Sequence, residues 1–234
     1  MADDLASRLD TIRRELTEAS AAWGRPPRII AVSKTVPPER INPLAELGIL
    51  DLGENRVQEI VEKLPFLHSK FRLHLIGRLQ TNKVKYIMKQ VCLIHSLDRM
   101  ELAVEISRQA QRLGGAMDAL VQVNVSGEIL KAGIDPGEAL PFLKECAKLP
   151  GLHIRGLMAI MPNTGEETVL RPLFRQMRSL FDDLSRESIP GVRMEELSMG
   201  MSQDFRIAAQ EGATMVRIGS ALFGARSQVE GADK

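Results

Sequence analysis

Aromatic residues make up only 4% of this 234-residue chain, with one tryptophan and one tyrosine, so platforms on which nucleic-acid bases stack are scarce. The formal charge of +1 gives no broad field to steer a polyanion. Nucleic acid is therefore not expected as a partner. Cys92 and Cys146 are too few for a disulfide framework and stand at no metal-ligand spacing, so both read as core thiols in a reducing compartment. The histidines, His68, His74, His95 and His153, include no pair at metal spacing. His74 and His95 read as barrel residues satisfied internally, and no metal is assigned. No apolar run approaches membrane-spanning length, and the N-terminal stretch MADDLASRLDTIRREL lacks the apolar core of a signal peptide. The expectation is a cytoplasmic protein with no membrane partner. Dinucleotide fingerprint and P-loop are missing as well. Ser202 in GMSQD lacks the second glycine of a nucleophile elbow, which excludes a serine-hydrolase reading.

What is present is an ordinary globular balance, 44% hydrophobic and 26% charged, and a regular alternation of patterns. Residues 2 to 23 read as an amphipathic helix with Leu5, Leu9, Ile12 and Leu16 on one stripe. Strand-like runs follow at 29–33, 49–52, 72–77, 92–96, 119–125, 153–160, 194–199 and 214–219. Helical spacing fills the intervals at 39–47, 54–63, 81–89, 98–113, 137–148, 166–186 and 203–211, with Gly48, Gly114, Gly151 and Gly212 as stop signals. Eight strands alternating with helices predict an α/β chain folded as a single (β/α)8 TIM barrel, with a leading helix over 1–24 and the barrel over 28–226. A doubly wound sheet is the alternative. No linker, repeat or change in composition marks a second domain.

In a TIM barrel, function sits at the carboxyl ends of the strands, and the loops after strands seven and eight often hold phosphate. Lys34 closes the run RIIAVSK at such an end. A lysine partly buried there has a lowered pKa and can form a Schiff base with a carbonyl or with pyridoxal phosphate, although a lysine that merely ends a strand in water looks the same in sequence. After the seventh run, LSMGMSQD offers Ser198, Gly200 and Ser202; after the eighth, VRIGSALFG offers Gly219 and Ser220. Both loops are rich in donors, which favours a bound phosphate over plain helix caps. Arg217, among Met215, Val216 and Ile218, needs an acceptor if buried: a ligand or a structural carboxylate. Against a pyridine nitrogen, a permanent donor disfavours ring protonation and weakens the ring as an electron sink.

The segments AVSKTVPPERI, LGENRVQE, HLIGRLQTNKVK, SLDR, VNVSGEILKAGI, IRGLMAIMP, ELSMGMSQDF and MVRIGSALFGAR carry a resemblance. Almost the whole chain, from Arg28 to Arg226, resembles the pyridoxal phosphate homeostasis proteins, which look like the barrel domain of alanine racemases without its β-rich second domain. The resemblance implies that Lys34 holds pyridoxal 5'-phosphate as a Schiff base. It also implies that Ser202, Gly219 and Ser220 bind the phosphate, that Arg217 faces the pyridine nitrogen and that Asn55 lines the same mouth, with Ser198 as a further phosphate contact. Gly127, Leu130 and Phe205 depart from the family's commonest pattern and leave these positions intact. By the same resemblance the protein maintains intracellular cofactor balance without catalytic turnover, with pyridoxal-phosphate-dependent apoenzymes as recipients and a monomeric state. A racemase-like enzyme or a Schiff-base aldolase is the alternative. A two-base racemase needs a second acid/base opposite the lysine, and the single tyrosine, Tyr86 in NKVKYI, is expected on the outer face instead. Lys83, Lys85 and Lys89 with Arg78 read as a solvated basic face, and Lys131 as a candidate second, transient acceptor of the cofactor.

Overall fold

The computed structural model describes residues 2–128 and 132–224, and within them eight parallel strands close into a barrel in sequence order. The strands are β1 (Arg28–Val32), β2 (Asp51–Glu54), β3 (Arg72–Leu75), β4 (Leu93–Leu97), β5 (Met117–Gln122), β6 (Leu152–Met158), β7 (Val192–Met201) and β8 (Met215–Ile218). β1, RIIAV, reads as a run of apolar residues, as expected where both faces of a parallel strand are buried, whereas β2, DLGE, and β3, RLHL, carry polar residues within the barrel. The helices are α1 (Ala2–Ala19), α2 (Pro38–Ile41), α3 (Pro43–Glu46), α4 (Val57–Lys63), α5 (Met100–Arg112), α6 (Ala139–Cys146), α7 (Glu167–Arg186), α8 (Phe205–Gln210) and α9 (Ser220–Phe223).

Two hydrophobic clusters divide the interior. The larger lies between strands and helices and takes in Leu52, Ile94, Val121, Phe174 and Ile218. The smaller fills part of the barrel's inside with Ile30, Leu93, Leu120, Met158 and Met215. Leu9, Ile12 and Leu16 of α1 are buried against α8 and α9, each contributing about 2 kcal/mol by area removed from water. The Trp23 indole N–H donates to the Gln210 carbonyl at 2.9 Å, tying the end of the leading segment to α8. The extra helix thus supports the two elements that follow β7 and β8.

Several boundaries differ from the sequence reading, each for a local reason. Pro43 has no N–H to continue a helix, so 39–47 splits into α2 and α3. The 81–89 segment is a 3-10 turn over Thr81–Tyr86, with Lys83 N–H bonded to the Gln80 carbonyl and Ile87 N–H to the Val84 carbonyl. β2 lies two residues later than its apolar run, because its ends are the buried polar residues Asp51 and Glu54. Cys146 is buried as expected, but Cys92 is exposed: its N–H joins the Leu73 carbonyl one residue before β4, where the chain is still outside the packed strand. Tyr86 is 49% exposed between Lys83 and Lys85, in the outward setting expected of it. Residues 225 and 226, at the expected end of the barrel, lie outside the described residues, as do Leu130 and Lys131. Among the described residues, no helix is long and apolar enough to cross a membrane, and no cluster of His, Cys, Asp or Glu suits a metal ion.

Candidate functional site

β7, β8, β1 and β2 are neighbours in the closed barrel, and the candidate residues all lie on them or just past their C-terminal ends. Lys34, two residues beyond β1, is half-buried, and the backbone on each side of it is fixed. On one side Ser33 donates its N–H to Gly53 O at 3.1 Å and its hydroxyl to Glu54 Oε1 at 2.7 Å, while its carbonyl accepts from Lys63 Nζ at 2.8 Å. On the other, Thr35 sits at φ 63, where residues with a Cβ are rare, and donates its N–H to Glu59 Oε2 at 2.8 Å. Lys63 closes the clamp by donating to Glu54 Oε1 at 2.9 Å and Glu59 Oε2 at 3.2 Å, which uses all three ammonium hydrogens.

The two carboxylates in this clamp are tuned apart. Burial raises the Glu54 pKa above its ordinary value in spite of Lys63 and Ser33, and Glu54 Oε2 has no hydrogen-bond partner among the described residues. At Glu59 burial is outweighed by the Thr35 N–H and by Lys63, and the pKa falls. Removing the ammonium would leave the Glu54 carboxyl, only 1% exposed, without its counter-ion. Lys63→Met is therefore expected to cost about 3 kcal/mol in urea unfolding, and Glu54→Gln in the same chain to recover most of that loss. A double variant as unstable as the single one would show that the buried Glu54 carboxyl is not the source.

The loops after β7 and β8 meet at Ser202, whose Oγ accepts from Gly219 N at 3.1 Å and Ala221 N at 3.2 Å. The turn that presents Ser202 needs glycine at 200: φ is +91, and a Cβ there would lie 2.4 Å from that of Ala208 in α8. Asp204 fixes the same turn by accepting from the Met201 N–H. Ser220 is exposed beside the amides of 219 and 221.

Arg217 is 4% exposed, and its bonded partners are a hydroxyl and two carbonyls rather than a carboxylate. Nη1 donates to Ser198 O at 2.9 Å and to Ser198 Oγ at 2.7 Å, and Nη2 to Ala159 O at 2.8 Å. Those bonds use three of five N–H donors, leaving two for an acceptor at the mouth. Burial, partly offset by Asp204, lowers its pKa to about 10, so the guanidinium stays charged at neutral pH. Ser198 is thereby grouped with Arg217, not with the amides around Ser202. Asn55 follows β2 and opens onto a polar cleft shared with Arg56, Arg78 and Lys83.

The sequence reading did not single out Glu54, Glu59 and Lys63 as holders of Lys34, nor Asp51 as a partner of the two barrel histidines. Asp51 Oδ1 lies 2.9 Å from His74 Nε2, and His74 Nδ1 lies 3.0 Å from His95 Nε2, with all three residues buried. The available signal was polarity inside otherwise apolar strands, which marks a buried network only once the partner strand is known.

The chain matches the family model described as alanine racemase, N-terminal domain, over residues 7–227. It is 44% identical over 223 residues to the pyridoxal phosphate homeostasis protein of Aquifex aeolicus, covering 94% of this chain and 97% of that protein. Among solved structures, PipY of Synechococcus elongatus with pyridoxal phosphate bound superposes with a TM-score of 0.83 at 36% identity, over 94% of this chain and all of that one. The alanine racemase of Clostridium difficile shares the fold at 18% identity, with a TM-score of 0.77 over 97% of this chain and 57% of the racemase.

Proposed function

The chain belongs to the pyridoxal phosphate homeostasis protein family, and from that premise we propose that it holds pyridoxal 5'-phosphate as a Schiff base on Lys34 and buffers the free cofactor without catalytic turnover. The observation that carries this reading is the meeting of three donor sets on adjacent strands. These are Lys34, whose neighbours Ser33 and Thr35 are held by the clamp, the hydroxyl and amide cluster of Ser202, Gly219 and Ala221, and the buried Arg217 with donors to spare. The residues fit the group. Bound there, pyridoxal phosphate supplies an electrophilic aldehyde and an electron-withdrawing ring.

Each residue's part follows from its chemistry. Lys34 is the nucleophile. Ser202 with the amides of 219 and 221, and the exposed hydroxyl of Ser220, offer the donors that a phosphate takes. Arg217 holds its own proton near neutrality and so donates to a ring nitrogen without protonating it, which limits the ring as an electron sink. Asn55 is assigned to the mouth by its place just past the C-terminal end of β2, the strand paired with β1. Ser198 and the Ala159 carbonyl orient Arg217. The chain's single tyrosine lies on the outer 3-10 turn, so the second acid/base of a two-base racemase is not supplied by Tyr86. A monomeric cytoplasmic carrier that releases the cofactor to apoenzymes follows from this reading.

One observation favours the alternative of a racemase-like enzyme or Schiff-base aldolase: Glu54, bonded to the residue before Lys34, keeps one oxygen without a hydrogen-bond partner among the described residues, and a raised pKa. Proton exchange separates the two. With pyridoxal phosphate added, the protein is expected to develop a visible imine band that borohydride fixes to the peptide carrying Lys34. Common amino acids in deuterated water are expected to keep their α-protons. Exchange at the α-carbon would replace the carrier by the enzyme, and absence of any band would remove the cofactor reading altogether.

A further inference from the structure

The polar cleft onto which Asn55 opens lies between the segments that follow β2 and β3 and holds about 520 Å³, within the roughly 300–1,000 Å³ of small-molecule sites. Lys34, Ser202, Arg217 and Gly219 do not line it. Strand register fixes its position. Val32 of β1 is paired with Gly53 of β2, so Lys34 and Asn55 each follow two residues later on neighbouring strands. Glu59 lines the cleft as well and accepts from the Thr35 N–H. The cleft therefore adjoins the clamp on Lys34 from the side of β1 opposite to β8.

Its two walls are held by backbone. A Cβ at Gly77 would fall 2.3 Å from the Asn55 carbonyl oxygen, so the segments after β2 and β3 meet at a contact that only glycine permits. Beyond that contact the Gly77 carbonyl accepts from the Ser96 hydroxyl at 2.7 Å, and the Leu79 carbonyl from Arg99 Nη2 at 2.8 Å. The facing wall is α4, which carries Gln58, Glu59 and Glu62.

The side chains in the cleft are short of partners. The Arg56 guanidinium and the amides of Asn55, Gln58 and Gln80 have no hydrogen bond or ion pair among the described residues. Lys83 Nζ stands 5.8 Å from the Tyr86 ring centroid and has no carboxylate partner among them. Arg78 reaches Asp98 only at 3.9 Å, and Asp98 is already bonded by Arg99. Of the two acids, Glu59 is committed to Thr35 and Lys63, which leaves Glu62. Three cations thus face one uncommitted carboxylate. The basic stretch that reads in sequence as a single solvated face divides here: Arg78 and Lys83 line the cleft, whereas Lys85 lies 4.9 Å from the Tyr86 ring centroid and Lys89 is exposed.

Surplus positive charge carried on guanidinium forks suits an oxyanion. Side-chain amides both donate and accept, and so suit the polar groups of an organic remainder. A phosphate monoester offers both, with close to two negative charges at neutral pH gathered on three acceptor oxygens. A dicarboxylate spreads the same charge over two separated points. We propose that this cleft is a second anion site, which binds a small phosphate monoester without a covalent bond through Arg56, Arg78 and Lys83, its organic part meeting Gln58, Gln80 and Asn55. The site goes beyond the carrier reading and does not depend on an imine at Lys34. Its ligand stands one strand from that amine, against the Glu59 end of the clamp, and Glu62 opposes it.

Glycerol 3-phosphate is the probe, followed by titration calorimetry. The full chain is first loaded with pyridoxal phosphate and sealed with borohydride, so that the donors around Ser202 are already occupied. Binding with Kd about 1 mM or tighter is expected. Arg56→Ala and Arg78→Ala are each expected to weaken it about tenfold, and Glu62→Gln to strengthen it about twofold. Both arginines are exposed, Arg78 to 73%, and the imine band before reduction checks that the variants fold. Succinate is expected to bind about tenfold more weakly than the probe. No binding to the sealed protein, binding indifferent to both arginine variants, or succinate bound as well as the phosphate would overturn the site. Should borohydride leave no adduct on Lys34, the carrier reading fails alone. The cleft is then tested in the unsealed chain, where probe binding lost in Arg78→Ala and kept in Ser202→Ala supports it and the reverse pattern overturns it.

Discussion

Lys34→Ala is expected to abolish the visible imine band completely and to leave no reducible pyridoxyl adduct on the protein. The chain has other lysines, so the expectation depends on what distinguishes this one. Lys34 stands at the end of β1, the strand paired with β8, which carries Arg217 and leads into Gly219. Ser33 and Thr35 hold its backbone through bonds to Gly53, Glu54, Lys63 and Glu59, so a small part of the amine's placement is left to chance. Lys63, also close to the mouth, has all its ammonium hydrogens committed to that clamp and is a poor nucleophile there. The donors of Ser202, Gly219 and Arg217 survive in the variant, so weak binding without colour is expected to persist, readable by equilibrium dialysis. A band of wild-type intensity in Lys34→Ala, or a labelled peptide carrying Lys131 instead, would sink the assignment.

Strand order and barrel closure were legible because the outward faces of all eight strands are apolar, and an apolar run needs no partner to be recognised. The inner face was less so. Asp51, Glu54, His74, His95 and Ser198 interrupt the hydrophobic pattern, and β2, bounded by two of them, was placed two residues early for that reason. Lys34, Ser202 and Arg217 could be named because each carries chemistry at a strand end. The clamp on Lys34 could not, since Glu59 and Lys63 lie on a helix one strand away and look in sequence like an ordinary solvent-facing pair at helical spacing. The resemblance implies Ser198 as a further phosphate contact, but Ser198 on β7 bonds Arg217 while Ser202, just past the strand, bonds the amides of 219 and 221.

Gly156→Ala is expected to destabilise the protein by more than about 4 kcal/mol, or to prevent folding, although residue 156 touches no ligand group. Gly156 lies inside β6 at φ +143, a conformation closed to residues with a side chain, and a Cβ there would fall 1.9 Å from the Glu196 carbonyl oxygen and 2.8 Å from its carbon. The clash is with backbone, which no rotamer change relieves. The position coincides with a break in pairing: Ile154 is opposite Val192, yet Gly156 is opposite Glu196, so β7 takes up two extra residues over this step. Beyond the break Met158 pairs with Ser198, and the Ala159 N–H donates to the Ser198 carbonyl at 3.1 Å. That register is what brings the Ala159 and Ser198 carbonyls together as acceptors for Arg217. If the variant relieves the clash by slipping the register, alternate side chains exchange faces and Arg217 loses its cradle. Urea unfolding and the visible imine band report the two failures separately, and a Gly156→Ala protein with wild-type stability and an unchanged band would show that β7 can yield at Glu196 without disturbing Arg217.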